Sequence, residues 1–253
     1  MPRETPKNHY RRTSDFINTK LYVIATEGYN TEYQYFTALK KQYSDKFDER
    51  NLHVEILRRP AQQHGKSSPK STEQMLEEFI EDNQDYDFQK DRDELWLIID
   101  TDTWEQKTIL ELAKKCQFDT LYHLGISNPC FEIWLILHLA DFNQDVRTYC
   151  FTDKHKINAP HIKKCIETLE NHNNFSIKSC IEKVKINKRS KACKQLQNLI
   201  NNHNHLSSMD ELIDYIPQAI SRAKALSECN PNNDNYLNNI CTSVYKLLER
   251  LTT

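Results

Sequence analysis

Glycine is almost missing from this chain: Gly28, Gly65 and Gly125 are the only three in 253 residues. A phosphate-binding P-loop needs two glycines five apart followed by Lys, and a dinucleotide fingerprint needs up to three within six residues, so neither can be drawn here. Any ATP-driven step is therefore expected to draw on the ATPase of another chain. Long apolar runs are missing as well. None approaches the ~18–20 residues that cross a bilayer, and the opening MPRETPKNHYRRTSDF has no apolar signal core. A cytoplasmic location with no membrane attachment is the expectation. Closely spaced cysteines are the third absence. The eight stand at 116, 130, 150, 165, 180, 193, 229 and 241, no two nearer than twelve residues, which excludes the CxxC pairs of most structural zinc sites. In a reducing compartment the ordinary reading is eight free, largely buried thiols.

Charge is nearly balanced overall, at a net -2, but unevenly spread. Residues 51–100 hold 6 basic and 12 acidic side chains, whereas 151–200 hold 11 basic and 4 acidic. An acidic middle and a basic later segment point to nucleic-acid contact by one face only. Short β-rich apolar runs at 21–25, 53–57, 94–100 and 120–125 predict four strands. Helical spacing predicts helices over 31–46, 72–83, 104–116 and 131–140, in alternation with those strands. This is the pattern of an α/β sandwich with a mainly parallel sheet. From about residue 146 helical periodicity takes over, with segments at 159–172, 176–203, 209–228 and 235–251. The expected organisation is a basic arm at 1–19, an α/β domain at 20–145 and an α-helical subdomain at 146–253.

Acidic residues collect where such a sheet binds ligands, beyond the carboxyl ends of its strands. Glu27 follows the first strand, Asp100 and Asp102 close the third, and Glu132 opens the helix after the fourth. Asp100 and Asp102 are two apart, so in extended backbone both side chains point the same way. Gathered carboxylates repel one another unless a cation neutralises them, and an all-oxygen set suits Mg²⁺ or Mn²⁺. An isolated Asp-x-Asp is ordinarily a helix cap or a solvated turn; the weight here comes from several acids at equivalent strand ends.

Three motifs resemble the RloB-like family. They are Tyr22-Val23-Ile24-Ala25-Thr26-Glu27-Gly28-Tyr29-Asn30-Thr31-Glu32 with Tyr35-Phe36, Trp96-Leu97-Ile98-Ile99-Asp100-Thr101-Asp102, and Ser127-Asn128-Pro129-Cys130-Phe131-Glu132-Ile133-Trp134. The last is the most specific. The resemblance is close over 20–140 and weaker to the C-terminus, where Ala223-Lys224 and Thr242-Ser243-Val244 match. Where the family commonly has Arg between the two aspartates, this chain has Thr101. The resemblance implies a Toprim-type catalytic domain, as in topoisomerases, primases and OLD-family nucleases. It also implies a place in anti-phage loci beside an AAA- or ABC-type ATPase.

On that basis Asp100 and Asp102 are expected to hold one or two metal ions, with Glu132 as a further ligand or orienter. Glu27 would bind metal or act as general acid/base. Lys66 would meet developing charge on phosphate, although a solvated loop lysine is its ordinary reading. His64 would hand a proton to a leaving group, although it too sits in a polar loop. His138, on an apolar helix, reads as a satisfied core histidine. Seven cations fall within 178–194 against Glu182 alone. Of these Lys183, Lys185, Lys188, Arg189 and Lys191 are the candidate phosphate contacts, unless the run is simply a solvated face.

The leading expectation is a metal-dependent nuclease effector of phage defence. RNA, and tRNA in particular, is favoured because related ATPase-gated Toprim effectors cut it; DNA is the alternative. A non-catalytic adaptor docking on an ATPase is the reading from another class. Self-association through the helical tail stays open.

Overall fold

The computed structural model describes residues 19–59, 68–101, 104–150, 159–169, 175–226, 228–233 and 236–253. The basic arm up to residue 18, the loop holding His64 and Lys66, and Asp102 lie outside the described residues.

The first four strands, β1 (Lys20–Thr26), β2 (Leu52–Leu57), β3 (Glu94–Asp100) and β4 (Tyr122–Asn128), are parallel. A fifth, β5 (Cys241–Thr242), pairs antiparallel with β4, and the order across the sheet is β2-β1-β3-β4-β5. Strands covered by helices on both faces read as continuous apolar runs, which is how KLYVIAT and ELWLIID read. Alternation still sorts their side chains. Tyr22, Ile24, Trp96 and Ile98 join the core on one face, while Leu21, Val23, Ala25, Leu95, Leu97 and Ile99 join that on the other.

Helices α1 (Thr31–Gln42), α2 (Ser44–Glu49) and α5 (Glu132–Leu139) pack on the first face. Helices α3 (Pro69–Asp82) and α4 (Gln106–Phe118) cover the second. The result is the α/β sandwich expected, consistent with a Toprim-like fold. Helix α3 begins at Pro69, ahead of the expected 72. Ser68 caps it by accepting from Ser71 N–H at 3.0 Å, and proline suits the first helical position, where its missing N–H costs nothing.

The remaining helices are α6 (Arg147–Cys150), α7 (Pro160–Leu169), α8 (Ile177–Lys183), α9 (Arg189–His203), α10 (Asp210–Ile213), α11 (Ile216–Ala225) and α12 (Tyr245–Thr252). Four expected helices are corrected: 31–46 divides at Tyr43 into α1 and α2, 209–228 divides at residues 214–215 into α10 and α11, and two more differ as follows. The segment 176–203 breaks between α8 and α9 at a short 3-10 turn, Ile186–Lys188. The segment 235–251 is helical only from Tyr245, because Cys241–Thr242 joins the sheet edge. Packing is continuous across residue 145: Leu247, Leu248 and Leu251 of α12 share one core with Tyr22 and Ile24. Arg222 of α11 donates to the Leu137 and His138 carbonyls at 2.7 and 2.9 Å, closing the C-terminal end of α5.

The expectation of eight free thiols is also corrected. Cys229 and Cys241 form a disulfide, because β5 brings Cys241 to a Cα–Cα distance of 5.5 Å from Cys229, within bridging range. No helix among the described residues is long and apolar enough to cross a membrane.

Candidate functional site

The strand order fixes where the site lies. From β1 the chain moves outward to β2, then returns past β1 to β3, so the direction of winding reverses between β1 and β3. A crevice opens at that reversal, beyond the carboxyl ends of the strands. Glu27 and Asp100 stand on its two sides. The Glu27 N–H extends the β1–β3 ladder by donating to the Ile98 carbonyl at 2.9 Å. The Glu27 carboxylate is then held from both ends. Oε2 accepts from the Asp100 N–H at 3.2 Å and Oε1 from the Trp104 indole N–H at 2.8 Å. Beneath it lies Arg59, only 2% exposed, donating to the Glu27 carbonyl at 3.3 Å and to Ser71 Oγ at 2.9 Å. Burial lowers the Arg59 pKa, and the Glu27 charge opposes that fall.

Glu32, in the first turn of α1, is buried beside these groups. Its carboxyl pKa is pushed up to about 7, first by burial and next by the Glu132 charge, against hydrogen bonds from the backbone of Glu32 and Gly28. Gly28 makes room for it: a β-carbon there would lie 2.0 Å from Glu32 Oε2. Glu132 starts α5 and is itself buried, with the Lys194 ammonium of α9 3.8 Å from its Oε1. Glu27, Glu32, Asp100, Glu132, Trp104 and Lys194 thus line one cleft of about 390 Å³.

The Ser127–Asn128 stretch braces the end of β3 next to this cleft. Thr101 Oγ1 donates to Asn128 Oδ1 at 2.6 Å, and the Asn128 amide donates to the Tyr236 and Asn239 carbonyls at 3.0 and 2.6 Å. Ser127 Oγ meets Thr242 Oγ1 at 3.0 Å, and the Thr101 N–H donates to the Ser127 carbonyl at 3.1 Å. The motif therefore fastens the ends of β3 and β4 to the C-terminal segment. Thr101, which stands where an Arg was expected, points into this network and is buried.

Of the acids read from the sequence, the structure brings Glu27, Asp100 and Glu132 together; Asp102, Lys66 and His64 lie outside the described residues. The donor set is oxygen only, which fits a hard divalent cation. Among the described residues, however, no group of three or more His, Cys, Asp or Glu side chains stands ready to hold a metal ion. Glu27 already accepts hydrogen bonds at both carboxylate oxygens, from the Asp100 N–H and the Trp104 indole, which fixes its orientation in the cleft.

Sequence reasoning missed Glu32, Arg59, Trp104 and Lys194. Glu32 reads as an ordinary first-turn acid, and the only signal is the glycine four residues before it. His138 is the satisfied core residue expected. Its Nδ1 faces the Trp134 carbonyl at 2.9 Å and so carries the proton, while Nε2 at 3.1 Å accepts from the Tyr35 hydroxyl. Burial lowers its pKa to about 4, so the ring is neutral at pH 7.

In the basic segment, Lys183, Lys185, Lys188 and Lys191 are exposed. Arg189 is the correction: it is buried, and its guanidinium donates to the carbonyls of Glu182 at 3.0 Å, Val184 at 3.3 Å and Asn238 at 3.0 Å. It is used up on backbone and does not face a phosphate.

No curated protein and no solved structure matched the chain. The family model described as RloB-like protein matches residues 22–251, from within β1 to within α12 and including every described residue of the cleft, and the chain belongs to the RloB-like family.

Proposed function

We propose that the protein is a divalent-metal-dependent nuclease of Toprim type that hydrolyses phosphodiester bonds. RNA such as tRNA is the favoured substrate and DNA the alternative. The observation that supports this reading is the convergence of Glu27, Glu32, Asp100 and Glu132 on one cleft at the switch point of the sheet. Four carboxyl groups against the two cations Lys194 and Arg59 leave an excess of negative charge, and the Glu132 charge adds to burial in raising the Glu32 pKa. A bound divalent cation relieves that excess.

Mg²⁺ or Mn²⁺ would be held by Asp100, Glu132 and Glu27, with Asp102 as the further expected ligand. When bound it supplies charge neutralisation and Lewis acidity at a phosphodiester. The chain's own residues do the rest. Trp104 and the Asp100 N–H keep the Glu27 carboxylate from turning away. Glu32, buried beside the acids that would hold the metal, is placed to take a proton from an attacking water or return one to a leaving oxygen. Lys194, at the lip, can meet charge that builds on the phosphate.

Within this reading the protein works beside an AAA- or ABC-type ATPase in phage defence, a partnership in keeping with the absence of a P-loop from the sequence. The test is cleavage of total tRNA and of plasmid DNA, with Mg²⁺ or Mn²⁺, by wild type and Asp100→Asn, each alone and with any ATPase encoded alongside. Metal-dependent cuts that disappear in the variant support the proposal. Intact substrates under all these conditions, with ATPase binding retained, would overturn it in favour of an adaptor.

A further inference from the structure

A second concave surface lies on the helical half, between α7 and the turn that joins α8 to α9. It encloses about 500 Å³, and Lys164, Lys183, Lys185, Lys188 and His161 line it. No acidic side chain is among its described lining residues. The nearest acid along the chain, Glu182, is turned to Lys178 at 4.0 Å. Lys164, Lys183, Lys185 and Lys188 are all exposed, and none is ion-paired to a described carboxylate. Four ammonium groups facing one hollow repel each other. A surface built this way gains when an anion enters it.

The hollow is also fixed in shape. Arg189 draws the α8–α9 turn inward by binding the carbonyls of Glu182 and Val184, which leaves Lys183, Lys185 and Lys188 on the outer side. The Lys188 N–H donates to the Lys185 carbonyl at 2.8 Å and tightens the same turn. On the opposite wall, Gln195 of α9 accepts from the His161 N–H at 3.1 Å and pins the start of α7. From the hollow, cations continue toward the carboxylate cleft. Lys188, at the N-cap of α9, is followed on the helix by Lys191 and Lys194, each three residues on from the last. The last of them is the lysine beside Glu132.

Resting on the reading of the protein as a nucleic-acid enzyme, we propose that this hollow seats a backbone phosphate of the substrate strand, which then runs past Lys191 and Lys194 to the carboxylate cleft. The chemistry recognised is a phosphate group. A free nucleotide or pyrophosphate offers the same chemistry, but the lysine row that leads on to the cleft favours a strand.

The experiment measures binding rather than cleavage. Fluorescein-labelled single-stranded RNA is titrated with the full-length protein in EDTA, from about 50 to about 200 mM KCl. Wild type is compared with Lys164→Gln/Lys188→Gln and with Lys246→Gln, an exposed lysine on α12. Matched thermal unfolding confirms that all three fold. The double variant is expected to bind at least about 10-fold more weakly, and its slope of log affinity against log salt should be shallower by about 1.4, two contacts at about 0.7 each. Lys246→Gln should behave as wild type. An unchanged slope and affinity in the double variant would overturn the proposal. So would ATP or pyrophosphate bound in a Lys164- and Lys188-dependent way while RNA binding is untouched, since the hollow would then serve a small ligand. Weakened RNA binding with no metal-dependent cleavage by wild type would sink the catalytic reading and leave the seat standing. Asp100-dependent cleavage with unaltered KM in the double variant would do the reverse.

Discussion

The carboxyl group of Glu32 lies over Gly28 so closely that a β-carbon at position 28 would stand 2.0 Å from its Oε2 and 2.4 Å from its Cδ. Glycine is needed here for that close approach and not for backbone conformation, since no glycine described has positive φ. Gly28→Ala is therefore expected to push the Glu32 carboxyl out of its place among Glu27, Asp100 and Glu132. The displaced group is the far end of a flexible side chain, so the fold should tolerate the change at a cost below about 1 kcal/mol. On the proposed nuclease reading, metal-dependent cleavage should fall by about 10-fold or more, because a displaced acid/base group is costly even at small displacement. Parallel thermal melts and cleavage assays check this. Unaltered cleavage would show that the placement of Glu32 is irrelevant to the chemistry.

How far the molecule could be read beforehand differs between its halves. The parallel strands were legible because burial on both faces forces compact β-rich runs, and Glu27, Asp100 and Glu132 were legible as acids at the ends of those runs. Strand β5 was not: two residues cannot show periodicity, and Cys241–Thr242 is strand only because β4 offers it an edge. The Cys229–Cys241 bridge was hidden for the same reason, since spacing along the chain says nothing about a sheet edge. Glu32 was masked by its own helix, where an acid in the first turn is commonplace. Arg189 was misplaced by its neighbours: within a run of exposed lysines nothing in the local pattern marks the one cation that turns inward.

Arg189 supplies a stability prediction. Its guanidinium binds carbonyls of the α8–α9 turn and of the 236–238 turn, 49 residues away along the chain, and burial lowers its pKa. Arg189→Ala leaves those carbonyls without their donor and should cost about 2–4 kcal/mol in urea unfolding. Arg189→Lys keeps the charge but not the planar fork, so it should recover less than half of the loss. A variant as stable as wild type would return Arg189 to the surface and to the phosphate contacts.

Glu94 anchors the opposite end of the sheet from the cleft. Its carboxylate takes hydrogen bonds from Lys20 Nζ at 2.5 Å, Arg250 Nη1 at 2.7 Å and Trp96 Nε1 at 2.9 Å. Burial alone would raise its pKa, but the Lys20 and Trp96 hydrogen bonds and the nearby cations outweigh it and hold the pKa below the usual value. A depressed carboxylate contributes stability that is present above its unfolded pKa and lost as pH falls through the folded one. Glu94→Gln should therefore destabilise at pH 7, and that deficit should shrink as pH falls below the ordinary 4.5 toward the lowered folded value. Urea midpoints at pH 7 and pH 3 test this; an equal deficit at both would assign the effect to packing instead.

Two buried groups pull the pH dependence in opposite directions. Glu32 titrates near 7 when folded against an ordinary 4.5, so the folded state holds more protons and stability falls as pH rises from 4.5 to 7. His138 titrates near 4 when folded against 6.5, so the unfolded state holds more protons and stability rises from pH 4 to 6.5. Each slope is limited to about 1.4 kcal/mol per pH unit. Between pH 4.5 and 6.5 the two contributions largely cancel, and wild type should show little net dependence from this pair. Glu32→Gln removes one of them and should expose a rise toward neutrality approaching about 1 kcal/mol per unit. The same variant should be the more stable protein at pH 8, because it carries no buried charge at that position. Urea unfolding from pH 4.5 to 8 reads both effects. A variant whose curve runs parallel to that of wild type would place the Glu32 carboxyl in water, not in the cleft.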